Sequence, residues 1–364
     1  MHLRRSLPFL ALLPLVALAA CQDAATTEPD NQPLSSPLFG VVAGYSIIDL
    51  GTLGGASGEA LDVNDWGQVV GVAMTASGAR HAFLWTQQAG MRDLGVLGRD
   101  FSEAHAINNA GHVAGVSSPI EPGSRAFLWT EQDGMVSLGT LGGQFSAAYN
   151  INDRGQVVGF SSTDVITPKG SSRPFLWTPG KGMINLGALT DGNSFGATGI
   201  NRLGEAVGTS TTFIGCCTVG LNRATFYSRD GEIIDIGSFP NSDSYATRLN
   251  DRGQVVGGAV AFPNEWHAFV WSLESGLNIF GPPGSVARGI NNRGQIIGQA
   301  GGFPSQHVAV VWQPSGEMVT LPDLPGSSGG STPHKMNERG QIAGVSTNSS
   351  GETRAVLWLP VQSP

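Results

Sequence analysis

The chain has 364 residues, of which 13% are charged, 8% are aromatic and 52 are glycine. This apolar, glycine-rich composition excludes an intrinsically disordered chain. The formal net charge is −8, and Lys and Arg cluster only at the extreme N-terminus, which argues against nucleic-acid binding through a basic surface.

The first predicted element, residues 1–20, is a targeting signal with a basic start (MHLRRS) and a short apolar run (LPFLALLPLVALAA). It closes on LAAC, ending at Cys21, which resembles the lipobox of bacterial lipoprotein signals. The resemblance implies cleavage before Cys21 and a lipid on its sulfur. In the alternative, an ordinary secretory signal, Cys21 is incidental. A lipid would hold an exported, cell-envelope protein on a membrane without spanning it, and no other apolar run is long enough to span one.

Residues 21–43 are rich in Pro, Ser, Thr and Asp and lack hydrophobic periodicity. This segment is predicted to be a flexible tether from the lipidated cysteine. The remainder, 44–364, is predicted to be one folded domain and a monomer.

Seven copies of a short turn motif, typified by NDRGQVVG, recur in 44–364 at intervals of 41 to 49 residues. Each repeat splits into four strand-like runs, named A to D, that are rich in β-branched and aromatic residues. The Asn-x-x-Gly between A and B and a second glycine between C and D predict tight hairpins. Each repeat is therefore predicted to be a four-stranded antiparallel meander.

Strand C alternates apolar residues on both faces, as in HAFLW at His81–Trp85. Such a sheet must be covered on both sides, and packing seven sheets around an axis covers them all. The last repeat lacks its D strand, whereas a D-like run, YSIIDLG, precedes the first at Tyr45–Gly51. The predicted fold is therefore all-β, a seven-bladed β-propeller that the N-terminal strand closes by completing the last blade. A linear β-solenoid would not use this permutation.

The repeats resemble the HAF repeat of bacterial extracellular proteins. The resemblance rests on the INxxGQVVG-like turns and on the His-Ala-Phe that opens strand C at His81 and His267, and it covers about 45–358. Two copies depart from it, with RATFY and VAVVW in place of HAFLW. It implies an exported repeat protein and no defined activity.

No catalytic or metal motif stands out, and no cofactor or metal is predicted. The repeated Asn-Asp pairs, such as Asn64–Asp65, offer too few oxygens for a calcium loop and are explained by turn chemistry. The His or Arg that opens strand C is expected to make a repeated hydrogen bond to a neighbouring blade or loop. The tryptophans of strand C are expected in the core, whereas Trp66 and Trp266, assigned to turns or loops, are candidates for exposed contacts.

Long, varied B–C loops on one face of the ring are expected to carry the binding residues. The candidates are Phe213, Cys216, Cys217, Phe262 and Trp266, although they could equally pack only against neighbouring loops. The favoured function is a non-enzymatic binding module for a protein or glycan, bound to membrane only through its lipid. One alternative is a polysaccharide lyase or hydrolase using the central channel, and another is a structural or adhesive envelope protein. The A runs supply the polar channel residues Glu59, Asp62, Glu103, His105, Arg248, Arg288, His334 and Lys335.

Overall fold

The computed structural model describes residues 42–119, 121–164, 172–189, 194–213, 220–237, 242–261, 265–301, 308–327 and 329–362. These residues form 28 strands in seven four-stranded antiparallel sheets. The chain is a seven-bladed β-propeller, as the repeats predict. No helix capable of crossing a membrane occurs in the described ranges.

Each of the first six blades is a meander of four consecutive strands. Blade 1 has β2 (Gly54–Val63), β3 (Val69–Thr75), β4 (Arg80–Thr86) and β5 (Gly90–Asp93). Blade 2 has β6 (Ser102–Ile107), β7 (Val113–Ser117), β8 (Arg125–Thr130) and β9 (Gly134–Ser137). Blade 3 has β10 (Gly142–Ile151), β11 (Val157–Thr163), β12 (Ser172–Thr178) and β13 (Gly182–Asn185).

The second half of the ring follows the same order. Blade 4 has β14 (Ser194–Ile200), β15 (Ala206–Phe213), β16 (Gly220–Tyr227) and β17 (Ile233–Asp235). Blade 5 has β18 (Ser244–Leu249), β19 (Val255–Ala261), β20 (Glu265–Ser272) and β21 (Gly276–Phe280). Blade 6 has β22 (Val286–Ile290), β23 (Ile296–Ala300), β24 (Val308–Trp312) and β25 (Met318–Thr320).

Blade 7 joins the two ends of the described chain. It has β26 (Ser331–Met336), β27 (Ile342–Thr347) and β28 (Thr353–Gln362), and its outer strand is β1 (Val42–Asp49). Ile47 pairs with Trp358 and Ile48 with Leu357. The N-terminal strand therefore closes the ring in the way the permuted repeat predicts.

The core lies between the blades, because both faces of each sheet are apolar. In strand C of blade 1, Phe83 packs toward blade 7, whereas Ala82 and Leu84 pack toward blade 2. A phenylalanine of strand C is fully buried in each of blades 1 to 5, and Trp358 is fully buried in blade 7. Burial of these aromatic faces is the main force that holds neighbouring blades together.

The turns between A and B have the predicted chemistry. In blade 1 the N–H of Gly67 donates to the carbonyl of Asn64 (3.0 Å), and Gly67 has a φ of 76°, which favours glycine. The A–B and C–D turns share one face of the ring, the turn face. The B–C and D–A connections share the other, the loop face.

Candidate functional site: the central channel

The central channel is lined by the seven A strands, which contact one another around the ring. Every A strand carries a β-bulge at the same place, the third residue before the turn asparagine. A bulge re-aims side chains relative to a regular strand. It also leaves a backbone carbonyl just before it, and this carbonyl is used between blades.

The bulged positions connect neighbouring blades in four places. His105 Nδ1 donates to the carbonyl of Ala148 (2.6 Å) and His334 Nδ1 to that of Ala60 (3.0 Å). Thr198 and Thr247 donate from their hydroxyls in the same way, to blades 5 and 6 (2.9 and 3.0 Å). Structural bonds thus orient both axial histidines; His105 Nε2 lies 3.2 Å from Glu103 Oε1, whereas His334 Nε2 has no hydrogen-bond partner among the described residues.

At the loop face the channel opens as a cavity of about 460 Å³. Its lining combines aromatic rings and charges: Glu103, His105, Tyr149, Arg248, Arg288 and His334 are among its residues. Phe195 stands at the same opening and is 60% exposed. A concave site with apolar surfaces and a few convergent polar groups is the usual form of a ligand pocket.

The charges are separated across the channel. Arg248, Arg288 and Lys335 come from blades 5, 6 and 7, whereas Glu59, Asp62 and Glu103 come from blades 1 and 2. Arg80 lies among the acidic groups, with its Nη2 3.8 Å from Glu59 and 3.5 Å from Glu103.

The cationic side is incompletely paired. Arg248 donates from Nη1 to the carbonyls of Thr198 and Thr247, but its buried Nε has no partner within the described part of the chain. Arg288 donates from Nε and Nη2 to Gln299 Oε1. Nη2 of Arg248 and Nη1 of Arg288 have no hydrogen bond to the described residues and remain available to a ligand that accepts hydrogen bonds, whereas the Nε of Arg248 is shielded from solvent.

Burial changes the ionisation of several channel groups. Desolvation lowers the pKa of His334 to about 4, with the charges of Arg288 and Arg248 acting in the same direction. Because Nδ1 donates to Ala60, the neutral ring presents Nε2 as an acceptor. Burial also raises the pKa of Asp62 and lowers that of Lys335, while the attraction between the two opposes both shifts.

For Glu103, the favourable charges and hydrogen bonds outweigh the effect of burial on the pKa. Burial alone would raise its pKa, but the hydrogen bond and charge of His105 and the charge of Arg80 outweigh it, so the pKa is lowered. Its Oε1 lies 3.2 Å from His105 Nε2. Glu103 is therefore held as a carboxylate that accepts hydrogen bonds.

An aromatic pair borders the cationic side. The Tyr245 ring packs against Trp266, with centroids 5.1 Å apart. A Cβ on Gly258 would come within 2.9 Å of the Tyr245 ring, so any larger residue there would require that ring to move. Valine occupies the corresponding position in blades 1, 2 and 7, at Val72, Val116 and Val345. Trp266 was expected in a B–C loop; it is instead the second residue of β20, paired with Val260.

The other sequence candidates are less defined. Phe213 is the last residue of β15 and pairs with Gly220 through the backbone. Cys216, Cys217 and Phe262, like Cys21, lie outside the described residues. The channel residues Tyr149, Tyr245, Phe195 and Arg80 were missed. Tyr149 and Tyr245 occupy A-strand positions that the repeat alignment could have identified.

The turn end of the channel is built differently. Each turn asparagine is buried and donates from Nδ2 to the carbonyl of the turn asparagine in the next blade. The seven bonds run from Asn64 through Asn108, Asn152, Asn201, Asn250, Asn291 and Asn337 back to Asn64, with lengths of 2.8 to 3.5 Å. We call this closed circle the asparagine ring.

The seven residues that directly follow the ring asparagines line a smaller cavity of about 130 Å³. Carboxylates there, including Asp65 and Asp251, accept from backbone N–H groups of adjacent blades. Arg202 lies 3.5 Å from Asp153 and 3.4 Å from Asp251. Over the described ranges no group of three or more His, Cys, Asp or Glu could hold a metal ion.

The residue that opens strand C was expected to bond to another blade or a loop. Arg125 does so, donating to the carbonyl of Gln144 in blade 3. In three blades the expectation is wrong, because the partner is an aspartate on the neighbouring strand of the same blade. These pairs are His81–Asp93, Arg223–Asp235 and Arg354–Asp49.

No protein-family model matches the chain, and no curated protein matches it. Among solved structures it is similar to TolB from Acinetobacter baumannii, with a TM-score of 0.51, 13% identity, and coverage of 82% of this chain and 68% of TolB. It is also similar to the β-propeller domain of the Trilobed protease from Pyrococcus furiosus, with a TM-score of 0.51, 13% identity, and coverage of 72% and 80%. At these identities the similarity shows the fold alone, so the chain is placed among β-propellers by its architecture.

Proposed function

We propose that this protein is an exported, non-enzymatic binding module that receives a protein or glycan partner on its loop face. The observation that carries the proposal is the cavity of about 460 Å³ at that face, with aromatic rings and opposed charges in its lining. Arg248 and Arg288 would donate hydrogen bonds to an anionic or carbonyl-bearing group of the partner. Glu103 would accept hydrogen bonds from donor groups of the partner. The rigid A strands would hold these groups in place, as binding sites require.

Capture experiments with the full chain test this proposal. Immobilised protein is exposed to a glycan array and to envelope proteins, and bound material is quantified. Arg288→Gln should weaken capture at least tenfold, because it removes a positive charge from the cavity lining while retaining a neutral N–H donor. His112→Gln, on the turn face, should leave capture unchanged. Equal capture by both variants would refute the loop-face site.

The alternative, a polysaccharide-active enzyme, has one observation in its favour: Glu59 and Glu103 share Arg80 and therefore lie close together. Glycoside hydrolysis needs one carboxyl group with a raised pKa to act as the acid. The lowered pKa of Glu103 disfavours that role. Release of reducing ends or unsaturated products from a polysaccharide, lost in Glu103→Gln, would establish the enzyme instead.

We further propose that Cys21 carries a lipid that anchors the protein in the cell envelope. The LAAC sequence and the resemblance to HAF repeats of extracellular proteins support this proposal. Cys21→Ser should move the protein from the membrane fraction to the soluble fraction. Unchanged fractionation would rule out the anchor.

A further inference from the structure

A second surface stands apart from the channel, on the turn face where blade 7 meets blade 1. A groove of about 450 Å³ runs between these blades. Its floor is apolar, with Ile48, Leu357 and Leu359. Its sides carry Trp66, Trp85, Gln68 and Gln341, with further Gln and Thr side chains beside them. We call this site the seam groove, because it lies where β1 closes the ring.

Trp66 is an exception within the repeat. The equivalent turn residues are Ala110, Arg154, Leu203, Arg252, Arg293 and Arg339. Its side chain is 63% exposed, yet it is held in place. The indole Nε1 donates to the carbonyl of Asn109 (2.9 Å), and the Arg339 guanidinium lies 5.6 Å from the ring centroid. A fixed indole exposed to solvent is a preformed contact surface.

The two glutamines are also fixed. Asn64 Nδ2 and Asn337 Nδ2 each donate to a neighbouring carbonyl in the asparagine ring, which defines their orientation. The Gln68 and Gln341 atoms 2.7 Å from these nitrogens must therefore be oxygens. Each Nε2 is left as a donor that has no partner among the described atoms. The groove thus presents two oriented N–H donors beside an indole.

The seam groove differs from two other grooves on the turn face in the charge of its lining residues. The groove between blades 4 and 5 is lined by Glu205, Asp251, Arg252 and Glu274, and the one between blades 5 and 6 by Arg252 and Arg293. The described residues that line the seam groove carry no charge. An uncharged partner with an apolar face and hydrogen-bonding groups at its edge matches this surface. A neutral pyranose has both.

We infer that the seam groove is a binding site for a neutral sugar, with one pyranose face against the face of Trp66 that Arg339 does not cover and its hydroxyl groups accepting from Gln68 and Gln341. This site is independent of the proposed partner site at the loop face. Because the sugar would touch both blades 7 and 1, its binding would also stabilise the closed ring.

Titration calorimetry of the full chain with cellohexaose, maltohexaose, mannohexaose and xylohexaose tests the inference, with an oligogalacturonate as the acidic comparison. At least one neutral oligosaccharide should bind and raise the melting temperature. Trp66→Arg, which installs the residue found in four other turns, should weaken binding at least tenfold. Leu203→Ala, at the same position in blade 4, should not change it.

The amide donors have a sharper test. Gln68→Glu keeps an oxygen for Asn64, as Glu205 does for Asn201 in blade 4 (2.7 Å), but removes the Nε2 donor. It should weaken sugar binding about fivefold while preserving the fold, as checked by near-ultraviolet circular dichroism.

Three results would overturn the inference: no binding of any neutral oligosaccharide, binding that survives Trp66→Arg, or preference for the oligogalacturonate. Arg288→Gln separates the two sites. Sugar binding lost in that variant but kept in Trp66→Arg would place the sugar in the channel, supporting the loop-face proposal and refuting the seam groove.

Discussion

The two ends of the central channel differ in how uniform their residues are from blade to blade. At the turn end, every blade contributes the same residue, asparagine, in the same bonding pattern. At the loop end, the bulged position holds Leu61, His105, Tyr149, Thr198, Thr247, Arg288 or His334. The closed circle needs a side-chain donor of the same length in every blade, because each bond ends on a backbone carbonyl. A pocket instead gains selectivity from differences between blades. We infer that the turn end maintains the ring and that the loop end is free to serve recognition.

The largest expected effect tests the asparagine ring. Asn152→Ala removes four hydrogen bonds from a buried side chain, one of them to blade 4. The free energy of unfolding should fall by about 3 kcal/mol, measured by urea denaturation.

Asn348 is a matched control for that measurement. It forms the same turn in the B–C connection of blade 7, with the same bonds to Ser350 and Glu352, but it lies outside the ring. Asn348→Ala should cost about 1 kcal/mol. Equal losses in the two variants would show that the bonds between blades contribute nothing.

The next effect concerns the loop end and depends on pH. Above pH 6.5 His334 is neutral in both the folded and the unfolded chain. As the pH falls from about 6.5 toward 4, the unfolded chain binds a proton that the folded chain does not, so folding stability is lost. His334→Gln should remove a pH-dependent loss on the order of 2 kcal/mol. Stability curves of this variant and of His112→Gln over that range provide the measurement and its control.

A smaller effect is expected from the aromatic pair. Gly258→Val introduces the residue of three other blades but collides with the Tyr245 ring. We expect a loss of about 1 to 2 kcal/mol and a changed tryptophan fluorescence, because Tyr245 would move from Trp266. In Tyr245→Ala/Gly258→Val the collision is gone, and most of the stability cost of the valine should disappear. A fluorescence spectrum identical to wild type in Gly258→Val would contradict the packing described.

The smallest effect should come from the outer blade surface. His81→Arg replaces the histidine that pairs with Asp93 by arginine, the residue that pairs with the equivalent aspartate in blades 4 and 7. Exposed pairs of this kind contribute little, so stability should change by less than about 0.5 kcal/mol. Thermal denaturation at neutral pH checks this, and a loss above 1 kcal/mol would mean that the sites are not interchangeable.

The fold could be predicted because the repeat is strong and local. Turn glycines such as Gly67, the two apolar faces of strand C and the displaced D strand each dictate a neighbouring contact. The asparagine was correctly interpreted as a turn residue, but its bond to the next blade is not local. That partner lies 41 to 49 residues away along the chain, or 273 residues away at closure.

The site was harder to predict because its contacts, too, join residues that are far apart in the sequence. Arg248, Arg288 and His334 were correctly assigned to strands near the axis, but nothing in the sequence indicated the bulge, which holds Arg288 and His334 and directly precedes Arg248. Trp266 was assigned to a loop because β20 begins earlier than the His-Ala-Phe pattern implies. Its contact with Tyr245 depends on Gly258, whose role is visible only when the two strands are paired.

The asparagine ring has a direction. Every ring asparagine donates from its side-chain Nδ2 to the following blade and accepts at its backbone carbonyl from the preceding blade, so the circle has a single direction and no terminal member. A duplicated or transplanted repeat would bring its own donor and its own acceptor. Each repeat can therefore bond to any other repeat through the asparagine ring. A propeller of this kind could gain a blade by duplication of one segment of its gene.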